Sequence, residues 1–408
     1  MFRYFVVALA LASPAFTSAF AIDWQDPRAV VAAAAQNQPA LVRLQAQAEA
    51  ARERAASAGA LPNPMVMAGV QDKQVDLRDD EMMTMVMVGA SQTFTRKAKR
   101  DARRESASLE ATALERELDV VRAGIERDAL LAWYELAAAD SRTRAAEQVR
   151  QALEAVVAAA RIRYEVGGAA QADVVRAQLQ QSDLEQQLLA LKGERRAALA
   201  RLLPLLGLPL DTAVPSLAFP EATAAQTVGP AVVPDAHPAF AALEADIARA
   251  EEELRLARLL ESPDVDVEAS YGIRKTQTDV FSVVARIELP IRRDQTEPRV
   301  REAILLRDAA RTRIDELRRE LTRALGVAVA MHDESEEQLR FHRDVLVPQS
   351  KLAFESSLAA YQTGSASFDA LLATESDYLR LQLRYYEFLL RHARAVAEYE
   401  ALRRGARA

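Results

Sequence analysis

Apolar residues recur with a helical period over several long segments of the chain. Residues 23–58 are rich in alanine and amphipathic, and Asp23 and Asp26-Pro27 are suited to begin a helix. Residues 95–166 keep a helical pattern without a proline, which predicts a helix on the order of 100 Å long. A return helix is predicted to end near Leu203, before Pro204 and Gly207.

Four short segments have a different pattern, which predicts strands. They are residues 65–70, 82–92, 264–273 and 280–289, and the loop 71–81 between the first two is charged. In the third segment apolar and polar residues alternate strictly, as in outer-membrane β-barrels or in a soluble sheet packed on its own helices. Four strands cannot close a barrel, and open edges are not viable in lipid. Strands that cross a membrane would therefore require several identical chains to share one barrel.

The pattern of the first half returns in the second half. Tyr164–Gln178 aligns without a gap to Tyr361–Glu375, so that Gly167 falls on Gly364, and a long helix is again predicted at 297–363 with a return at 367–404. A kink is predicted at Pro348. A glycine inside such a pattern is typical of a turn, so each copy predicts the tip of a helical hairpin. The predicted organisation is a repeat at 22–210, a linker at 211–235 and a second repeat at 236–408.

Composition excludes several classes of function. The 408 residues carry a net charge of −7 with both signs interspersed, which argues against nucleic-acid binding. Cysteine is absent, so disulfides, thiolate metal sites and cysteine nucleophiles are excluded. No nucleophile elbow, phosphate loop or zinc motif occurs, and we expect neither an enzyme nor a cofactor. The histidines form no ligand pair at i, i+4, and we expect them and both tryptophans to pack: His237, His332, His342, His392, Trp24 and Trp133.

Residues 1–21 have the features of a secretory signal peptide. Arg3 gives a charged start, residues 5–12 are apolar, and Ala19-Phe20-Ala21 fits a cleavage site. A short buried helix is the alternative. After residue 21 the sequence contains no run of 18 or more apolar residues, so it predicts no transmembrane helix.

Methionine is concentrated in the first predicted strand pair. Six of the eight methionines lie there: Met65, Met67, Met82, Met83, Met85 and Met87. Met83, Met85 and Met87 alternate, which suits an apolar face of a barrel strand. Thioethers also bind Cu(I) and Ag(I), so a metal-binding role is the second interpretation.

The chain resembles the outer-membrane efflux proteins of the TolC family, including members associated with heavy-metal exporters. The resemblance rests on the signal peptide, on Leu61-Pro62-Asn63-Pro64, on the strand end Ser91-Gln92 and on the two Tyr-x-x-Gly tips, in an order that is repeated. It implies an α+β membrane protein, a homotrimer whose chains each give four strands to a 12-stranded β-barrel, continued by a periplasmic α-helical barrel. Its location would be the cell outer membrane.

The implied function is that of a passive exit channel in a tripartite efflux pump. Small toxic compounds or metal ions would leave through it, and its partners would be outer-membrane lipid, a periplasmic adaptor and an inner-membrane pump such as one of the RND type. A periplasmic coiled-coil scaffold or adaptor without a pore is the rival interpretation.

The resemblance also assigns roles to residues at the tips. Eight would contact the adaptor, or serve only as turn residues: Tyr164, Val166, Gly167, Gly168, Tyr361, Thr363, Gly364 and Ser365. Asp173 and Asp369 would form a periplasmic gate, although the second-half position that matches Asp173 is Ala370. A ring of three Asp173 side chains would favour cations. Asp173 could equally cap or charge the first turn of the return helix.

Overall fold

The computed structural model describes residues 22–71, 84–275, 277–289 and 293–406. Within them the chain forms eight α-helices and one four-stranded sheet. The helices are α1 (Pro27–Asn37), α2 (Pro39–Ala58), α3 (Lys97–Glu165), α4 (Gln171–Leu205), α5 (Pro238–Leu259), α6 (Arg293–Phe341), α7 (Val347–Thr363) and α8 (Phe368–Arg404). The strands are β1 (Met65–Gln71), β2 (Met85–Phe94), β3 (Val265–Arg274) and β4 (Val280–Ile287). The predicted signal peptide and Met82 and Met83 lie outside the described residues.

The N-terminal segment forms two helices rather than the single predicted one. Asp26 caps α1, as expected, by accepting a hydrogen bond from the backbone N–H of Arg28. The chain then leaves the helical conformation at Gln38, and α2 begins at Pro39. Proline disfavours the α conformation of the residue before it but suits the first turn of a helix, and this explains the break.

Helix α3 is the longest element and spans about 100 Å at 1.5 Å per residue. It packs against α1, α2, α4, α5 and α8, so it connects most of the helical part. The largest apolar cluster surrounds Trp133, which is fully buried and donates from Nε1 to the carbonyl oxygen of Trp24 at 2.8 Å. The prediction that these tryptophans pack is confirmed.

The predicted linker lies against the helices. Asp140 on α3 is buried, accepts from the backbone N–H of Leu217 at 2.8 Å and pairs with Arg195 of α4 at 2.6 Å. Leu217 and Phe219 are buried in the same cluster as Trp133. The linker is therefore held in place both by its own apolar side chains and by the carboxylate of Asp140 on α3.

The predicted kink at Pro348 takes the form of a π-helical turn. His342–Leu346 separates α6 from α7. Pro348 has no N–H and cannot donate the helical hydrogen bond that would reach back to Asp344, so the regular ladder is interrupted there.

The sheet brings together strands from both halves of the chain. Its order is β1-β2-β3-β4, and every neighbouring pair is antiparallel. The register of the central pair runs from Met85 opposite Arg274 to Phe94 opposite Val265. Strand β2 ends two residues later than predicted, and α3 accordingly begins at Lys97.

None of the helices within the described residues has the length and apolar character that crossing a membrane would require.

Candidate functional site: the sheet faces and the hairpin tips

One face of the sheet, called the outer face here, is apolar and uncovered. Alternation and register place on it, among others, these apolar side chains: Val66, Ala68, Val70, Val86, Val88, Ala90, Ala269, Tyr271, Ile273, Phe281 and Val283. Val66 is 78% exposed, Phe281 69% and Val283 61%. A soluble sheet would bury this face against its own helices, and the structure contradicts that alternative. An uncovered apolar surface of this extent marks a site of contact with lipid or protein.

The opposite, inner face carries the polar residues. Glu268 and Ser270 are buried, and Arg286 of β4 forms ion pairs with Glu268 and with Asp266, the latter at 3.5 Å. Thr93 donates to the same Asp266 at 3.1 Å. The sheet is thus apolar outside and charged inside.

The methionines lie on the inner face, not on an apolar outer face. Met85 and Met87 alternate with Val86 and Val88, and the two valines occupy the outer face. Met67 of β1 falls on the same side as Met87, because it pairs with Gly89 two residues away. Met85 and Met87 share one strand face, as the first interpretation expected, but that face also carries the charged side chains of Glu268 and Arg286. The alternating pattern alone could not decide which of two apolar sets turns outward.

Both edges of the sheet, formed by β1 and β4, are open. Within the described residues β1 pairs only with β2, and β4 pairs only with β3. Each of these edge strands therefore presents unpaired backbone groups on one side, which favour pairing with another strand.

The two hairpin tips share one backbone geometry. The N–H of Gly167 bonds to the carbonyl of Tyr164 at 3.0 Å, and that of Gly168 to Arg163 at 2.7 Å. In the second tip Gly364 bonds to Tyr361 at 3.1 Å and Ser365 to Ala360 at 2.9 Å. These pairs define a Schellman motif, in which the residue after the helix takes a left-handed conformation. Gly167 and Gly364 do so with φ of 75° and 83°, which confirms the predicted turn.

The aligned tyrosines of the two tips have different surroundings. Tyr164 is 46% exposed, whereas Tyr361 is 2% exposed and packs against Phe368. Burial raises the pKa of the Tyr361 phenol, whose hydroxyl has no hydrogen-bond partner among the described residues. Tyr361 was predicted to touch the adaptor, but its side chain lies inside the tip. The other seven predicted contact residues are exposed at the surface.

A single arginine joins the two tips. Arg163, at the end of α3, donates to the carbonyl of Tyr361 at 2.6 Å and to that of Gly168 at 2.9 Å. Its guanidinium carbon also lies 4.6 Å from the centroid of the Tyr361 ring, which is a cation–π contact. We call this set of contacts the tip clasp.

The two predicted gate residues are not equivalent. Asp173 is half-buried in the first turn of α4, whose N-cap is Ala170, so it charges that turn without capping it. Asp369 is exposed at the start of α8 and pairs with Arg176 of α4 at 2.5 Å. This pairing offsets the negative charge that Asp369 would otherwise present, while Ser367 caps α8 by accepting from Ala370.

A buried carboxyl group lies beyond the tips. Glu375 of α8 is fully buried and accepts a hydrogen bond from Gln180 of α4 at 3.0 Å. Burial raises the pKa of this carboxyl, and its Oε1 has no partner among the described residues. Burial thus makes this carboxyl, where α4 and α8 meet, easier to protonate than an exposed one.

Two histidines that are far apart in sequence meet in space. The rings of His332 on α6 and His392 on α8 are 4.8 Å apart, and each donates from Nε2 to the carbonyl of Gln226, at 3.2 and 3.1 Å. Spacing along the sequence did not reveal this contact, but it agrees with the expectation that these histidines pack. Among the described residues no group of three or more histidine, aspartate or glutamate side chains could hold a metal ion.

Sequence reasoning missed Arg163, Arg176 and Glu375. Each lies within the aligned tip segments or one turn from them, so proximity to the tips was an available signal. Their partners, however, belong to the other hairpin, and spacing along one helix does not reveal such contacts.

The fold is that of bacterial outer-membrane channels. The outer membrane protein VceC from Vibrio cholerae is 18% identical, with a TM-score of 0.77 over 93% of this chain and 96% of that one. The CmeC outer membrane channel of Campylobacter jejuni is 12% identical, with a TM-score of 0.77 over 98% of this chain and 91% of that one. The open state of the MtrE outer membrane channel of Neisseria gonorrhoeae is 15% identical, with a TM-score of 0.75 over 93% and 89%.

Residues 30–208 match the family model described as outer membrane efflux protein. Residues 30–208 thus resemble outer membrane efflux proteins in sequence, and the chain shares the fold of outer-membrane channels over more than nine tenths of its length. No curated protein sequence matches the chain.

Proposed function

We propose that three copies of this chain form the outer-membrane exit channel of a tripartite efflux pump. The observation that carries the proposal is a four-stranded sheet that is apolar and uncovered on its outer face, charged on its inner face and, within the part of the chain that the structure describes, unpaired at both edges. Lipid would cover the outer face, and neighbouring copies would pair with the edges.

The strand directions suit such closure. Neighbouring strands are antiparallel throughout, so β4 of one copy and β1 of the next would also run antiparallel. Three copies give 12 strands, within the range of single-chain outer-membrane barrels. The helices would then continue the barrel as a periplasmic tube, and the element order that recurs at 22–210 and 236–408 supports two repeats joined by the linker 211–235.

The tips would meet the periplasmic adaptor, and an inner-membrane pump such as one of the RND type would supply the energy. Exposure supports this role for Tyr164, Val166, Gly167 and Gly168 of the first tip and for Thr363, Gly364 and Ser365 of the second. The chain would give its cargo, small toxic compounds or metal ions, a passive path. A periplasmic scaffold would have no use for the uncovered outer face.

Engineered cysteines would test the shared barrel, because the natural chain has none. Cysteine at Ala68 of β1 would be combined in turn with cysteine at Phe281, Val283 or Ala285 of β4. We expect oxidation of at least one pair in membranes to give covalent trimers. Cysteines at Ala68 and Val88, which are partners within one chain, should cross-link without increasing the mass. Monomers in every β1–β4 combination, together with a soluble periplasmic location, would refute the proposal.

The gate is tested by conductance in planar bilayers. Asp173→Ala should raise single-channel conductance or weaken block by cations, because it removes three negative charges from a narrow axis. Glu165→Ala is the matched control, since it removes an exposed tip carboxylate that pairs with Arg161 of the same helix. An equal effect of both substitutions would remove Asp173 from the gate.

A further inference from the structure

The inner face of β1 and β2 carries four methionines, of which Met67, Met85 and Met87 lie around two glycines and Met65 lies at the exposed start of β1. Met67 is opposite Gly89, and Met87 is opposite Gly69, so the two methionines are diagonal neighbours on one face. Diagonal neighbours in an antiparallel pair are about 7–8 Å apart, which long side chains can bridge. The two glycines leave the space between them free of other side chains.

A third methionine joins them over a glycine of β3. A Cβ atom added to Gly272 would meet Met85 Sδ at 2.7 Å and Met87 Cγ at 3.5 Å. A Cβ atom added to Gly89 would meet Met67 Cγ at 3.3 Å. The methionine side chains thus lie over a floor of glycine backbone, where any larger residue would displace them.

These thioethers are half-buried and not sealed in a core. Met67, Met85 and Met87 all keep part of their surface accessible, while Gly89 and Gly272 beneath them are buried. Methionine sulfur is a soft, neutral and adaptable ligand that suits Cu(I), whereas carboxylates suit hard cations. Cysteine and histidine do not compete, because the chain has no cysteine and its four histidines are buried.

We propose that Met67, Met85 and Met87 form a binding site for a soft monovalent cation, Cu(I) or Ag(I). The ion would accept lone pairs from the sulfur atoms without a change in oxidation state. Because its ligands would be few and uncharged, we expect the ion to dissociate readily. The site itself depends only on the inner face. Access to exported ions depends on the proposed channel, in which this face lines the lumen.

Silver provides the direct test, since Ag(I) needs no reductant. Mature protein in detergent, in chloride-free nitrate buffer, would be titrated with Ag(I) by equilibrium dialysis, and the ligands would be identified by silver X-ray absorption. We expect saturable binding with sulfur neighbours. The triple variant Met67→Leu, Met85→Leu, Met87→Leu should bind Ag(I) at least about tenfold more weakly. Mutating a group that only orients a metal ligand typically weakens metal binding by about 10- to 100-fold, and removing the ligands themselves should weaken it no less. Leucine nearly conserves the volume of methionine.

Two further variants keep the test decisive if the triple variant misfolds. Gly272→Ala retains every sulfur but displaces Met85, so it should also weaken binding. Met331→Leu removes a thioether that is 51% exposed on α6 and should change nothing. No binding by the natural chain, or equal binding by the triple variant, overturns the site. Conductance distinguishes the two proposals: a conducting protein without silver binding refutes only the site, and a silver-binding protein that never conducts refutes only the channel.

Discussion

The tip clasp should determine how firmly the two hairpins of one chain are held together. Arg163 is half-buried and makes two hydrogen bonds to backbone carbonyls of different tips. Hydrogen bonds to a charged group contribute about 1.5–3 kcal/mol each, and partial exposure favours the lower value. The cation–π contact adds about 0.5 kcal/mol at such a site.

The bond to Gly168 lies within the first tip, so only the bond to Tyr361 and the cation–π contact act between the tips, and Arg163→Ala should destabilise the joined tips by about 2 kcal/mol in each chain. Since about 1.4 kcal/mol corresponds to a factor of ten, the separated form should become roughly thirtyfold more populated. Arg163→Lys should lie between the natural chain and the alanine variant, because a lysine keeps the charge but lacks the planar fork that reaches two carbonyls.

Amide hydrogen exchange at residues 164–170 and 361–366 would measure the separation, and bilayer conductance would show its effect on the gate. Arg161→Ala is the matched control on the same helix, because that arginine makes only an exposed pair with Glu165. We expect faster exchange at both tips and more frequent opening in Arg163→Ala alone. If the two variants exchange and conduct alike, the clasp does not hold the tips.

Three further predictions concern Gly364, Glu375 and His392. Gly364→Ala should destabilise the tip by about 1–2 kcal/mol, because residue 364 has a left-handed conformation. Gly193→Ala should instead stabilise α4 by about 0.5–1 kcal/mol, because Gly193 lies inside that helix with open space around it. Thermal unfolding of the two variants would compare these effects. Burial raises the pKa of Glu375 above 4.5, so packing of α4 on α8 should weaken as pH rises above that value, and Glu375→Gln should abolish this trend in hydrogen exchange at residues 371–379. Burial, with a contribution from His332, lowers the pKa of His392 below 6.5, so stability should fall as pH drops below 6.5, and His392→Gln should flatten that part of a melting-temperature profile. If the stability of the natural chain does not change with pH in one of these two ranges, the role given to the corresponding residue is wrong.

The sequence by itself determined the elements and the local turns. Strand alternation predicted all four strands to within a few residues, and the Tyr-x-x-Gly spacing predicted two turns that share one hydrogen-bond pattern. Pro348 marked the interruption between α6 and α7. These features depend on interactions within a few residues of one another, so a local pattern is sufficient to reveal them.

The tertiary structure alone decided which residues meet. Arg163 and Tyr361 lie 198 positions apart, and their contact depends on how two hairpins align along their whole length. The meeting of His332 with His392 depends in the same way on the packing of α6 against α8. Alternation showed that each strand has two faces, but only pairing across β1–β4 showed that the valines turn outward and the methionines inward. A periodic pattern fixes the angle between side chains on one element, whereas the direction of the whole element is set by the neighbours on which it packs.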